Sequence, residues 1–328
     1  MSIRTSHFIC IFIALIAISL MVSTAEAAKY SGEFLELGVS ARSLGMGGAY
    51  TAIVEDATAP FYNPAGLSSS KQKSLTFMHT ETFGSLINHD FIGGTLPVKG
   101  KDAALGLALI RLGGGDIKIT QLSNNPDYAG INPYDGNIYT VLKTTSHADY
   151  TALASYGTKW KKETAIGITA KIIYRKLADE NAFGMGFDLG LKTKLFKRIQ
   201  VGAVLKDASA TFLSYSTGTI ESIYPNLKLG LGYGFTKSRF TLLLSGDASI
   251  KFEHRDKSAQ LSLGGASSDF MFGGEIKYKD IIAGRIGSYR GDFTAGAGIR
   301  LKKFVVDVAY LSNSYLDNTY RLNLTGIF

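Results

Sequence analysis

The chain has a single cysteine, Cys10, in 328 residues, and only six prolines. No disulfide can form within it, so hydrogen bonding and packing must hold the fold. Six prolines beside 37 glycines suit many short strands better than a disordered chain. Beyond Val22 no apolar run reaches the ~18 residues that a spanning helix needs. Mean hydropathy is nevertheless positive, +0.10, so apolarity is spread out rather than concentrated. A basic run is also missing. The formal net charge is +8, yet the lysines and arginines sit in short turns or alternate with apolar residues. That distribution argues against nucleic acid as a partner. There is no Gly-x-Ser-x-Gly elbow. His79, His89, His147 and His254 lack metal-ligand spacing. No catalytic residues, metal or cofactor are expected. An outer-membrane phospholipase or protease would need a catalytic set that the sequence does not offer.

Arg4 gives a short positive start, residues 8–22 form an apolar run, and Ala25-Glu26-Ala27 is a small-x-small site. Together they read as a secretory signal peptide, residues 1–27, cut after Ala27. A membrane anchor fits less well, because the run is short and the cleavage site follows at once. Cys10 lies inside the run, which argues against a lipoprotein. For an exported basic chain, lipopolysaccharide phosphates are a more natural partner than nucleic acid.

What the chain has in quantity is alternation. Phe183, Met185, Phe187, Leu189 and Leu191 alternate with Gly184, Gly186, Asp188, Gly190 and Lys192. In a strand these sets point to opposite faces. The same period recurs over residues 164–175, 227–235, 293–301 and 320–328, and the three-and-four spacing of an amphipathic helix is absent. A soluble sheet would bury such an apolar face under a second layer. A membrane barrel turns it to lipid.

Fourteen strands are expected, at 74–83, 88–98, 102–112, 147–160, 163–176, 182–195, 198–208, 224–235, 238–252, 268–279, 281–288, 293–301, 303–312 and 318–328. Most are near the ~9–11 residues of a membrane-crossing strand. Every second connection is short and basic, as at Lys99-Gly100-Lys101, Lys161-Lys162, Lys197-Arg198 and Lys302-Lys303. The long connections, 113–146, 208–223 and 253–267, fall among the others. This parity matches periplasmic turns and outer loops, with both termini in the periplasm. Trp160, Phe196, Phe240 and Phe304 flank the short turns, while Tyr174, Phe183, Tyr310 and Tyr320 lie at the opposite strand ends, like two aromatic girdles. The terminal Phe328, closing an alternating strand, resembles the outer-membrane assembly signal, with the barrel-assembly machinery as the implied partner.

The segment before the barrel does not alternate. It reads Ala41-Arg42-Ser43-Leu44-Gly45-Met46-Gly47-Gly48-Ala49, then Asp56-Ala57-Thr58 and Asn63-Pro64-Ala65-Gly66-Leu67. Its glycines do not form the dinucleotide-binding spacing. These residues resemble the N-terminal signature of PorV/PorQ-type proteins, which belong with the FadL-type outer-membrane transporters. The resemblance implies an all-β fold: a fourteen-stranded antiparallel transmembrane β-barrel (residues 73–328) with an N-terminal hatch, or plug, over residues 28–72. Within the hatch it points to Asn63, Pro64 and Ala65, with Gly45, Gly47 and Gly48, as binding residues. The long loop 113–146, rich in Asn, Asp, Tyr and Thr, has little greasy surface, which favours the PorV/PorQ branch over fatty-acid carriers.

The other face of the strands lines the lumen and is ionic. It carries Lys171, Arg175, Lys192, Lys228, Lys251, Lys277, Arg285, Arg300 and Arg321, with Asp149, Asp188, Asp247, Glu275 and Asp307. These charges are expected to form a salt-bridged interior that supports the plug, the alternative being a path that attracts anions. Residues 124–127 and 135–137 hold oxygen ligands, but their spacing is not that of an EF-hand, and ordinary turns explain them. The expected location is the bacterial outer membrane, multi-pass, in contact with membrane lipid and lipopolysaccharide. The leading expectation for function is passive transport of small molecules, hydrophobic ones included. The alternatives are a type IX secretion-like component that binds exported proteins, and a simple porin.

Overall fold

The computed structural model describes residues 32–82, 86–122, 130–131, 138–253, 255, 258–313 and 317–328. The expected leader, residues 124–127 and 135–137, and His254 lie outside the described residues. Fourteen strands form one closed antiparallel barrel. They are β1 (Ser74–Thr82), β2 (Ile87–Pro97), β3 (Ala103–Leu122), β4 (Ile138–Lys161), β5 (Thr164–Leu177), β6 (Glu180–Phe196) and β7 (Ile199–Lys206). The other half is β8 (Asn226–Lys237), β9 (Phe240–Lys251), β10 (Ala266–Tyr278), β11 (Ile282–Tyr289), β12 (Asp292–Leu301), β13 (Phe304–Leu311) and β14 (Thr319–Ile327). Closure is direct: β1 pairs with β2 on one side and with β14 on the other, Ser74 opposite Ile327 and Glu81 opposite Tyr320.

The period-two pattern sets the two faces. In β6, Phe183, Met185 and Phe187 are exposed at 50, 55 and 41 %, whereas Gly184, Gly186, Asp188, Gly190 and Lys192 are buried. The same split runs through β5, β8 and β14. The barrel has no edge and an apolar outer face, so the strands satisfy one another's backbone groups along the ladders, which is the condition for crossing lipid. Trp160, Phe196, Phe240 and Phe304 are exposed beside the short turns, and Tyr174, Phe183 and Tyr320 at the other end. The chain is a multi-pass outer-membrane β-barrel.

Three departures from the expected strand map have local causes. First, β3 and β4 run 20 and 24 residues and pair well beyond the expected limits, from Ile117 opposite Thr145 to Leu122 opposite Tyr139. The register shifts between Gly114 and Ile117, where Asp116 takes φ 56°. A bulge in a glycine run breaks alternation without ending the ladder. Second, β7 stops at Lys206. Asp207 and Ala210 adopt φ 53° and 56°, and a hairpin (Thr211–Tyr215, Ile220–Ile223) resumes pairing with β6 at Ala182–Met185. The expected loop 208–223 is thus partly wall. Third, the barrel's own ends meet at the short-turn end, as parity requires, but Gly32 lies against Ile223, toward the long connections.

Candidate functional site

Residues 33–70 run along the inward face of the wall. The first anchor is a short helix, α1 (Ala41–Gly45). Ser40 caps it, its Oγ accepting from the Ser43 N–H at 3.2 Å. Gly47 and Gly48 end the turn with φ of 64° and 80°, a region that favours glycine. A Cβ on Gly47 would stand 2.3 Å from the Phe272 carbonyl oxygen, so the segment touches β10 backbone to backbone. Gly45 packs in the same way on Gly296. The Ala41 N–H donates to Asn323 Oδ1 (2.7 Å), and the Gly47 N–H to Thr294 Oγ1 (3.1 Å). Arg42 grips Glu275 with two bonds of 2.8 and 2.9 Å.

The Asn63-Pro64-Ala65 stretch is a second anchor. Asn63 has no exposed surface. Its Oδ1 accepts from the Ala65 N–H at 3.1 Å, capping the 3₁₀ turn Pro64–Ser69 with Pro64 at its first position. Its Nδ2 donates at 3.0 Å to the Thr51 carbonyl and at 3.0 Å to the Leu191 carbonyl of β6. One amide therefore joins the turn, the preceding loop and the wall. Pro64 and Ala65 lie on Gly167 and Gly157. The six residues suggested by resemblance thus stand at contacts between the inner segment and the wall.

The luminal charges are paired. Lys171 bridges Asp188 (2.7 Å) and Asp207 (2.8 Å) with its side chain only 3 % exposed. Arg175 binds Asp149 at 2.6 Å. Glu275, fully buried, also takes Arg285 at 2.7 Å and lies 3.5 Å from Lys277, and Arg285 reaches Asp307 at 2.7 Å. Several pairs cross to the inner segment. Lys192 meets Glu55 (2.9 Å) and the Val54 carbonyl (3.0 Å). Lys228 meets Glu36 at 3.0 Å and Lys251 meets Glu33 at 2.6 Å. Asp247 accepts the Tyr50 and Thr51 N–H groups at 2.9 and 2.8 Å, and Arg321 donates to the Leu37 carbonyl at 2.7 Å. Arg300 stands apart, exposed at the short-turn end.

Sequence reasoning missed the inner segment's half of these pairs. Glu36 is opposed by its own burial, but Lys228, Lys251, Arg290 and Lys206 outweigh this and hold its carboxyl well below the usual range. Burial keeps the Tyr50 phenol protonated against the pull of Arg42, and it donates to Asp56 Oδ2 at 2.5 Å. Lys206 was also missed, although it shares parity with the buried Gly202 and Val204. Its Nζ sits 3.9 Å from the Phe61 ring centre, with no hydrogen-bond or ion-pair partner among the described residues.

Cavities lie on both sides of this segment. Toward the long connections, a cavity of about 50 Å³ is lined by Leu35, Glu36, Phe61, Lys206, Ile223 and Phe252. Toward the short turns, cavities of about 300 Å³ and 150 Å³ open beside Glu55 and Lys192 and beside Arg42 and Arg300. Between them Met46, Tyr50, Val54 and Leu67 are fully buried.

Solved structures of hydrocarbon channels share this fold. The chain is similar to a CymD monoaromatic hydrocarbon channel, with a TM-score of 0.58 and 13% identity over 89% of this chain and 98% of that one. It is also similar to the Pseudomonas putida toluene transporter TodX, with a TM-score of 0.54 and 13% identity over 88% and 96%. At that identity the likeness establishes the shared fold. No protein-family model and no curated protein matches the sequence.

Proposed function

We propose that the chain is a FadL-superfamily barrel of the PorV/PorQ type that carries small molecules, hydrophobic ones among them, passively across the outer membrane. Residues 28–72 are its hatch. The observation that supports this reading is the position of the Asn63–Leu67 turn and the Arg42 helix between an outer and two inner cavities. A simple porin would have no need of a buried segment in that place. The test uses the mature protein and a form lacking residues 28–72, both in liposomes and in planar bilayers. Solute uptake or conductance that rises on deletion supports the hatch. Neither uptake nor conductance from either form refutes transport, and equal conductance from both makes the chain a porin.

One observation favours a second reading, a secretion-type component that binds exported proteins. The β3–β4 ladder extends past the point where β2 ends its pairing with β3 at Gly113. It offers a projecting surface such a partner would need. Affinity purification from native membranes separates the readings. Capture of neither a secreted protein nor secretion machinery removes this one.

A further inference from the structure

The charge of the connections is not spread evenly over the molecule. Their cations gather at one end. The six short connections carry nine cations and three acids, whereas the described residues of the seven connections at the other end carry two cations and five acids. Inside the barrel many charges are paired with one another, among them Lys171 with Asp188 and Asp207, Arg175 with Asp149, and Lys192 with Glu55. Every cation of the short turns is exposed. Three basic side chains here lie over the faces of aromatic residues. Lys161 stands 4.3 Å over Trp160, Arg198 4.6 Å over Phe235, and Lys279 5.4 Å over Tyr278.

We infer that this end of the barrel is a docking ring for anionic glycerophospholipid, the lipid of the periplasmic leaflet. Three features select a lipid leaflet over an acidic protein. The cations occur on all six turns, so they surround the barrel instead of forming one contiguous face. They stand at the level of the aromatic girdle, where a bilayer places its headgroups. Phe196, Phe240 and Phe304 are exposed directly beside them, at 70, 52 and 53 %, supplying the apolar contact that a diacyl lipid needs and a soluble acidic protein does not. An anionic leaflet draws each nearby Lys or Arg by about 1 kcal/mol, roughly a fivefold preference per cation, and salt weakens it. The acidic long-connection end would lack this pull, so the ring also favours one orientation of the barrel.

The chain has one tryptophan, Trp160, and it lies in this ring, so it reports the lipid at its own turn. The mature protein is reconstituted in phosphatidylcholine vesicles containing small fractions of brominated phosphatidylglycerol or brominated phosphatidylcholine, and Trp160 quenching is measured. Quenching should favour phosphatidylglycerol by roughly fivefold, and 1 M salt should abolish most of that preference. The variant K162Q/K197Q/R198Q should lose it, while K118Q/K143Q, near the opposite end, should keep it. Equal quenching by the two lipids overturns the inference, as does a preference that survives both salt and the turn variant. The salt titration needs only the unaltered protein, so the inference remains testable if the variant assembles poorly. Capture of an acidic periplasmic protein by these turns, with no lipid preference, also overturns it.

Discussion

Arg42→Ala should loosen one part of the inner segment while leaving the barrel intact. Arg42 is the only side chain of α1 that grips a buried wall carboxylate, through two bonds to Glu275. Breaking a buried ion pair costs about 3–5 kcal/mol, chiefly because the remaining charge is left uncompensated. Here the lower end applies. Glu275 keeps Arg285 at 2.7 Å, and the Arg42 side chain is already 20 % exposed. A loss of about 3 kcal/mol corresponds to roughly a hundredfold rise in local opening. Hydrogen exchange in detergent would read it at the Leu44, Met46 and Gly48 amides, whose acceptors lie within Ser40–Leu44. Amides of the Asn63 anchor should change little, since the Asn63, Ala65 and Gly66 N–H groups donate to the Ala59 carbonyl, Asn63 Oδ1 and the Asn63 carbonyl, none of them part of the Arg42 helix. The Glu275→Gln variant should open the segment further, because Arg42, Arg285 and Lys277 would then face one another without the carboxylate that now stands between them, and Asp307 would neutralise Arg285 alone. A fall in protection below threefold in Arg42→Ala would refute the reasoning. So would a uniform fall across the whole chain, which would mean global rather than local opening.

Other outcomes follow from the same contacts. Phe187→Arg places a charge on the lipid face and should cost ~2–4 kcal/mol if it lies near the midplane, read as lost heat-modifiable gel mobility. Gly186 cannot serve as a benign control, because a Cβ there would stand 1.9 Å from Thr211 Oγ1, so Gly186→Ala should also impair packing around Lys171. Lys171→Met leaves Asp188 and Asp207 buried without their cation and should cost about 3–5 kcal/mol in urea unfolding. Glu36 has a carboxyl depressed in the folded state, so its stabilisation is present above the usual carboxylate range and is lost as pH falls through the folded value. Unfolding midpoints of wild type and Glu36→Gln should therefore differ at neutral pH and converge on acidification.

Which parts were legible in the sequence follows from the range of the signal. The wall's side chains repeat every two residues, so Phe183 to Lys192 could be assigned without knowing what lies opposite. The extension of β3 was not legible, because Gly113 to Gly115 carry no side chains to alternate and the bulge at Asp116 shifts the phase. The hairpin after β7 was hidden similarly by the turn at Asp207 and Ala210. For the lumen, parity sorts the charges onto one face of each strand but carries no information about their partners. Arg42 and Glu275 are 233 residues apart, and Asn63 and Leu191 are 128 apart. Such pairings follow only from closure of the barrel around the segment.

The glycine face of the strands also changes meaning once the interior is known. A water-filled lumen calls for polar side chains, and glycine gains nothing there. In this barrel a Cβ on Gly273 would stand 2.2 Å from the Met46 carbonyl oxygen, and one on Gly287 would stand 2.4 Å from the Gly47 nitrogen. On the Asn63 side, a Cβ on Gly190 would stand 2.3 Å from Asn63 Oδ1, and one on Gly167 would stand 2.3 Å from the Pro64 carbonyl carbon. These glycines let two backbones approach, which side chains would prevent. Alanine at Gly287 should therefore displace the Met46–Gly48 turn while the wall keeps its ladder. Alanine at the neighbouring Gly274 should do little, because there the first contact is the movable Leu244 Cδ2 at 3.3 Å. Exchange at Gly47 and Gly48, read beside that of the β10 amides, measures both. Equal behaviour of the two variants would mean that the inner segment does not depend on the glycine face, and the alternation would again be a property of the wall alone.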